Sequence, residues 1–359
     1  MSERKLIVIG GSFGGIETLQ TVTSHLPADL PAPILAVQHL GAGSNDRLAA
    51  VLDRAGPLRC ETARDGVELA PGRVWVAPAG QHLVVRGGRV RLGRGPHING
   101  VRPAIDPLFM SAALEAGPRA VGVVLSGHLD DGTAGCEAIR RAGGSVLVQD
   151  PDTALAPDMP QSVIDHVGVD FRLSPEALAE ALTEQAKSPH AEAETPDHRP
   201  QAEIDRLATE TDMVIEGSAA LADAATDSEL AAVSCPDCGG PMWVSGGKFA
   251  RYHCHTGHTY TTRHLLHGLE HSEERALFAA LRAMEERCAM LRRIHHRGGQ
   301  GGVPEGSPLD QRRQETQEHI EVLRGLLRRR GGHGAAAPAG GLDGEALREA
   351  VPTNDSGQG

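Results

Sequence analysis

The chain has 359 residues, 35 of them basic and 47 acidic, for a formal net charge of −12 at neutral pH. Hydrophobic residues make up 40% and charged residues 23%, near globular averages, which excludes wholesale disorder. The acidic balance and 3% aromatic content argue against a nucleic-acid partner, which demands cations for phosphate and rings for base stacking.

No run of about 18 apolar residues occurs, so no direct membrane insertion is expected. The opening Met-Ser-Glu-Arg-Lys lacks a signal peptide's apolar core. A cytoplasmic location is the expectation, with the 6 cysteines serving as thiols or metal ligands rather than disulfides.

In chain order, Lys5–Ile9 is a short apolar run rich in branched residues, followed by a glycine cluster and a helical stretch from Ile16. Ile34–Val37, Val121–Leu125 and Ser145–Val148 are runs of the same kind. Such runs, bounded by Gly and Pro, predict strands buried on both faces, and the helical patterns between them predict crossovers of a parallel sheet. Val74–Ala77 and His82–Val85 alternate with Pro78, Gly80, Gly87 and Gly88, which predicts a β-hairpin or meander there.

The character changes over residues 186–230. Lys187 to Pro200 is proline-bearing and nearly free of apolar residues, so an acidic linker is expected. Residues 231–263 hold a Cys/His cluster. Leu277, Leu281, Met284, Cys288 and Leu291 form one apolar stripe, and Ile320, Leu323 and Leu327 a second, which predicts a helical hairpin over 264–330. Residues 331–359 read as a disordered tail. The expected fold class is α/β. A doubly wound, mostly parallel sheet with a β-hairpin insertion fills residues 1–185, and a small zinc-ribbon-like module and the helical hairpin follow.

Three readings compete for Gly10-Gly11-Ser12-Phe13-Gly14-Gly15. A dinucleotide loop requires G-x-G-x-x-G, but Ser12 stands at its middle glycine, and Gln38-His39 end the second strand where an acid would hold ribose. A tight strand-to-helix turn needs only Ser12 as a cap. A serine nucleophile on a sharp turn is the third reading, since Gly10–Gly14 fits G-x-S-x-G. That chemistry needs a base and a group to orient the base. His39 follows the second strand and Asp131 follows Val121–Leu125, at the sheet edge where the carboxyl ends of parallel strands meet. The order Ser, His, Asp differs from that of the α/β-hydrolases.

Cys235 and Cys238 form C-x-x-C, and Cys254 and His258 follow at a spacing that suits a closed Cys3His site. Four protein ligands make structural zinc the expected role. His253, His255 and His264 are rival ligands. Cys60, Cys136 and Cys288 read as ordinary buried residues.

Residues 5–180 resemble the catalytic domain of the chemotaxis protein-glutamate methylesterase (CheB) family. The resemblance rests on Gly10–Gly15, Val37–Leu40 and Leu125–Gly135, with Pro71-Gly72, Ala77-Pro78 and His82-Leu83. Arg102-Pro103 with Asp106 and Leu108-Phe109, and Gln149–Pro151 with Thr153-Ala154 and Met159-Pro160, add to it. It implies Ser12 as nucleophile, His39 as base and Asp131 as orienter, with the backbone N–H groups of Phe13 and His128 forming the oxyanion site and no cofactor for catalysis. Phe13 stands where threonine is common, and His128-Leu129 where Met-Gly is common.

The implied activity is hydrolysis of γ-glutamyl methyl esters on methylated chemoreceptor-like proteins, releasing methanol. The same chemistry can deamidate glutamine. Family members commonly carry an N-terminal receiver domain. The first strand starts near Lys5 here, so a stand-alone catalytic domain is expected, constitutive or controlled by other chemosensory proteins or by the C-terminal region. The alternative is a catalytically weak adaptor in a signalling array.

Overall fold

The computed structural model describes residues 4–39, 47–188, 199–216, 228–245, 249–297 and 306–331. The expected tail, apart from Gly331, lies outside the described residues, as do Leu40 and much of the expected linker. The chain divides into two compact units, Met1–Glu270 and His271–Gly359.

The first unit opens with β1 (Leu6–Gly11), α1 (Gly15–His25), β2 (Ile34–Gln38), α2 (Leu48–Ala55), β3 (Arg59–Thr62) and β4 (Arg73–Val76). Next come β5 (His82–Arg86), β6 (Arg89–Gly93), α3 (Ile105–Ala116), β7 (Ala120–Val124), α4 (Thr133–Arg141) and β8 (Ser145–Gln149). Then α5 (Asp158–His166), β9 (Phe171–Leu173) and α6 (Pro175–Lys187) complete the α/β portion. Seven strands form one sheet in the order β3-β4-β2-β1-β7-β8-β9, with parallel pairing throughout.

Strand side chains alternate between two cores, as the two-residue strand period requires. Leu6, Val8, Leu35, Val37, Val146 and Val148 pack with Leu108, Phe109, Ile139 and Val163 of α3, α4 and α5. Ile7, Ile9, Ile34, Ala36, Val121 and Leu147 pack with Leu19, Leu52, Leu178 and Leu182 of α1, α2 and α6. Helices therefore cover both faces, which explains why the strands read as continuous apolar runs.

Two readings need correction. Val74–Ala77 was expected to join a hairpin with His82–Val85. Instead β4 lies in the main sheet, parallel to β2 with Ile34 opposite Val74, and the two-stranded hairpin is β5 with β6. Val74, Trp75 and Val76 are all buried, and a strand covered on both faces belongs inside the parallel sheet. The expected linker over 186–230 also contains a helix, α7 (Gln201–Glu216). Leu207, Met213 and Val214 are buried on it, and this apolar stripe packs α7 against α3, β5 and β6.

A second, antiparallel sheet follows: β10 (Glu229–Ser234), β11 (Pro241–Ser245), β12 (Arg251–Cys254) and β13 (Thr259–Thr261), in that order. Asn99 and Gly100 both lie in the left-handed region, at φ 54° and 74°, as a two-residue type I′ hairpin turn requires. That turn presents residues 97–99 to β13, with Ile98 bridged to Thr259 in parallel. The sheet therefore belongs to the first unit rather than forming a separate body.

Helix α8 (Thr262–Arg297) begins at the last residues of that sheet, and α9 (Pro308–Gly331) follows it. In the second unit, Arg287 donates to Thr316 at 3.0 Å and Arg324 to Glu285 at 2.8 Å, tying the two helices together. Cys288 and Ile320, one from each predicted stripe, are buried.

Candidate active site

Strand order reverses at β1, whose neighbours are β2 and β7, so a crevice opens at their carboxyl ends. Register puts Gly11 opposite Gln38 and Gly10 opposite Val124. The loops after these three strands carry Ser12, His39 and Asp131. The Ser12 N–H donates to the Ser126 carbonyl at 2.9 Å, and the His39 N–H to the Gly11 carbonyl at 3.0 Å. The Ser126 hydroxyl donates to the Phe13 carbonyl at 2.7 Å. Gly14, at φ 77°, then leads into α1. Gly127 permits the closest approach, because a Cβ there would lie 2.7 Å from Ser12 Cβ and 2.1 Å from Met159 Sδ.

A continuous hydrogen-bonded chain results. His39 Nδ1 lies 3.2 Å from Ser12 Oγ, and His39 Nε2 lies 2.8 Å from Asp131 Oδ2. Asp131 is fully buried. Burial works to raise its carboxyl, but the hydrogen bond and charge of His39, with the Ile105 N–H, outweigh that and hold it below the usual carboxylate range. Its Oδ2 accepts the Ile105 N–H at 2.7 Å, while Oδ1 accepts Asn99 Nδ2 at 2.8 Å and the Gly132 N–H at 3.1 Å. A carboxylate this heavily bonded can hold an imidazole in one orientation. A hydroxyl facing the other ring nitrogen can then be deprotonated as it attacks an acyl carbon.

The Phe13 and His128 rings stack at 5.4 Å between centroids beside Ser12, and His128 Nδ1 lies 3.3 Å from Asp158 Oδ2. Phe13 is 57% exposed and Leu155 is 69% exposed, giving the crevice an apolar rim. Leu129, at φ 65°, occupies a left-handed conformation at the position where glycine is common in the resembled family. That backbone state costs a side-chain-bearing residue roughly 1–2 kcal/mol.

Read from the sequence, Asp130 is a solvated neighbour of Asp131 rather than the triad acid, and the structure corrects its solvation. It is buried, accepting Thr261 Oγ1 at 2.8 Å and facing His264 Nδ1 at 2.6 Å. His264 is thus engaged with Asp130. His253 stacks against Trp243 at 6.3 Å.

Cys235, Cys238, Cys254 and His258 converge, their ligand atoms all lying within 4.8 Å of one another. Cys238 Sγ is 3.6 Å from Cys254 Sγ, and His258 Nδ1 is 3.5 Å from Cys254 Sγ and 3.7 Å from Cys235 Sγ. Tetrahedral zinc bonds of about 2.3 Å to sulfur and 2.0–2.1 Å to nitrogen demand separations of about 3.8 Å and 3.6 Å, so the donors fit such an ion. The other His258 nitrogen lies 3.7 Å from Asp237 Oδ2, where a carboxylate can set the ring's orientation.

Asn99, Asp106, Arg251 and Thr261 were not expected to serve the site. The Asn99-Gly100 dipeptide is a hairpin signal visible in the sequence. Nothing local marks Arg251, whose partner Asp106 is 145 positions away.

Comparison with known proteins decides the family. The CheB methylesterase family model matches residues 7–182. These residues belong to the CheB methylesterase family. A protein-glutamate methylesterase/protein-glutamine glutaminase of Anaeromyxobacter dehalogenans is 40% identical over 180 residues, 50% of this chain and 53% of that protein. One from Symbiobacterium thermophilum is 39% identical over 181 residues, 50% of each chain. The chain therefore spans about half the length of the curated relatives it matches. The Thermotoga maritima CheB methylesterase catalytic domain is 37% identical, covering 50% of this chain and 98% of that one, with a TM-score of 0.49. Arg251, Thr261, His264 and the Cys/His cluster all lie beyond the CheB methylesterase match.

Proposed function

We propose that this chain is a protein-glutamate methylesterase acting on methylated chemoreceptor-like proteins, with Ser12, His39 and Asp131 as its catalytic triad. The hydrogen-bonded sequence Ser12–His39–Asp131, at 3.2 Å and 2.8 Å, carries the reading. His39 Nδ1 takes the Ser12 hydroxyl proton as Oγ attacks the γ-carbonyl carbon of a glutamyl methyl ester. The backbone N–H groups of Phe13 and His128 receive the oxyanion. His39 returns the proton to the leaving methoxide, so methanol departs. Water, deprotonated by the same ring, then releases the glutamate and restores Ser12. An amide follows the same course with ammonia as the leaving group, which makes glutamine deamidation a companion activity, as the names of the relatives record.

The donor spacing of the Cys/His cluster supports a structural zinc ion on Cys235, Cys238, Cys254 and His258. Bound there, it would supply a closed cross-link between β10, β12 and the adjoining turns. Reduced thiols of this kind suit the cytoplasm. No helix among the described residues is long and apolar enough to cross a membrane.

The test is methanol release from methylated receptor with the native chain and with Ser12→Ala. The native chain should release methanol and the variant, folded as judged by circular dichroism, should release it at least a thousandfold more slowly, since loss of a serine nucleophile costs up to about 10⁶ in kcat. A folded variant that keeps most of the activity refutes the triad.

A further inference from the structure

Two carboxylates, Asp106 and Asp131, are buried side by side behind His39. They share a single amide. Asn99 Nδ2 lies 2.8 Å from Asp131 Oδ1 and 3.0 Å from Asp106 Oδ2. They also share a backbone donor, since the Gly132 N–H lies 3.0 Å from Asp106 Oδ1 and 3.1 Å from Asp131 Oδ1. Like charges this close repel strongly away from water. Burial raises the Asp106 carboxyl above the usual carboxylate range, with Asp131 adding to the effect and Arg251 opposing it.

The opposing cation comes from β12 of the second sheet. Arg251 Nη1 lies 2.8 Å from Asp106 Oδ2, and Nη2 lies 3.4 Å from Glu210 Oε2 on α7. The Arg251 side chain is only 3% exposed, so it reaches no substrate. The same sheet grips the neighbouring residues. The Thr261 N–H donates to Asn99 Oδ1 at 3.0 Å, and Thr261 Oγ1 donates to Asp130 Oδ1 at 2.8 Å. Every one of these side chains of β12, β13 and α7 stands outside residues 7–182.

We propose that Arg251 is a positioning residue of the esterase: through Asp106 and Asn99 it fixes the carboxylate of Asp131, so that the Cys/His sheet completes the setting of the triad. The proposal rests on the Ser12–His39–Asp131 reading. Without Arg251, Asp106 is a buried anion with no counter-charge, and it must take up a proton or draw in water. Its bond to Asn99 then rearranges, and Asn99 is the side-chain donor to Asp131 Oδ1, beside the Gly132 and Asp106 N–H groups. Misplacing Asp131 slows proton transfer through His39 while leaving the substrate crevice as it was.

An alkyl fluorophosphonate reads this directly in the full-length chain. Ser12 Oγ bonds to phosphorus, the P–F bond breaks, fluoride leaves and the hydroxyl proton passes to His39. Saturation kinetics separate the maximal labelling rate from the apparent binding constant. The native chain should label and Ser12→Ala should not. Arg251→Gln should lower the maximal rate about tenfold to a hundredfold with binding unchanged, the scale of a misplaced catalytic group. Arg251→Lys, which keeps a cation beside Asp106 but gives up the second contact to Glu210, should label at a rate between native and Gln and keeps the test open if the Gln variant fails to fold.

The proton resonance on His39 Nε2 should move in both variants. Native labelling by folded Arg251→Gln, a Lys variant slowed as much as Gln, or an unmoved His39 resonance each overturns the positioning role. A native chain that takes no label overturns the triad reading and this proposal together.

Discussion

Asp131→Asn changes one atom in the most heavily bonded side chain of the site, and the surrounding donors dictate the result. Asp131 Oδ1 faces Asn99 Nδ2 and the Gly132 N–H, and Oδ2 faces the Ile105 N–H and His39 Nε2. An asparagine has one acceptor and one amide, so in either orientation its NH2 confronts a donor. Turned toward Asn99, it leaves the amide and Gly132 unsatisfied in a buried site. Turned toward His39, it confronts Ile105 and forces the ring to accept at Nε2 and carry its proton on Nδ1, the tautomer that cannot deprotonate Ser12.

An unsatisfied buried group costs about 1–3 kcal/mol, and the wrong tautomer costs about 10³–10⁴ in kcat. Denaturant unfolding at neutral pH should show the first loss, and methanol release the second. The stability gap should narrow in acid. The folded-state carboxyl of native Asp131 is depressed, so its contribution is present above the ordinary carboxylate pKa of about 3.9 and is lost as pH falls further, whereas the variant has no such contribution to lose. A folded Asp131→Asn retaining more than a tenth of native turnover would refute the orienting role.

Two further outcomes follow from the same geometry. Leu129→Gly relieves a left-handed strain of about 1–2 kcal/mol at an unfolded-state cost of about 0.5–1 kcal/mol, so a net gain near 1 kcal/mol should appear in chemical denaturation; a loss would show that Leu129 packing outweighs its backbone. Cys235→Ser should lower zinc from equimolar to near zero by elemental analysis and lower the melting temperature, and full metal retention would remove Cys235 from the ligand set.

Much of the fold was legible because sheets buried on both faces leave an unbroken apolar signature, and the glycine-flanked Ser12 announced a sharp turn. Val74–Ala77 was misassigned because an apolar run does not reveal which neighbour a strand chooses. Helix α7 was hidden by the proline-bearing stretch before it, although Leu207 and Val214 mark its buried face. The Asp131 loop gave Asp131 but misjudged Asp130, whose partners Thr261 and His264 lie more than a hundred positions away. Local patterns carry turns, strands and nucleophiles. They carry no record of a side chain that arrives from another sheet, which is why Arg251 escaped notice.

The type I′ turn at Asn99-Gly100 has a consequence in time as well as space. Its Asn99 Oδ1 waits for the Thr261 N–H, 162 positions later, and Asp106 waits for Arg251. Chains are made from the amino end and their early portions begin folding first. The sheet bearing Ser12, His39 and Asp131 is therefore fully synthesised while the groups that grip the Asp131 loop do not yet exist. Closing such long loops comes late and slowly. The outer support that Arg251, Thr261 and His264 give to Asp106, Asn99 and Asp130 is thus among the last features of the first unit to form, and a ribosome must pass residue 264 before His264 can reach Asp130.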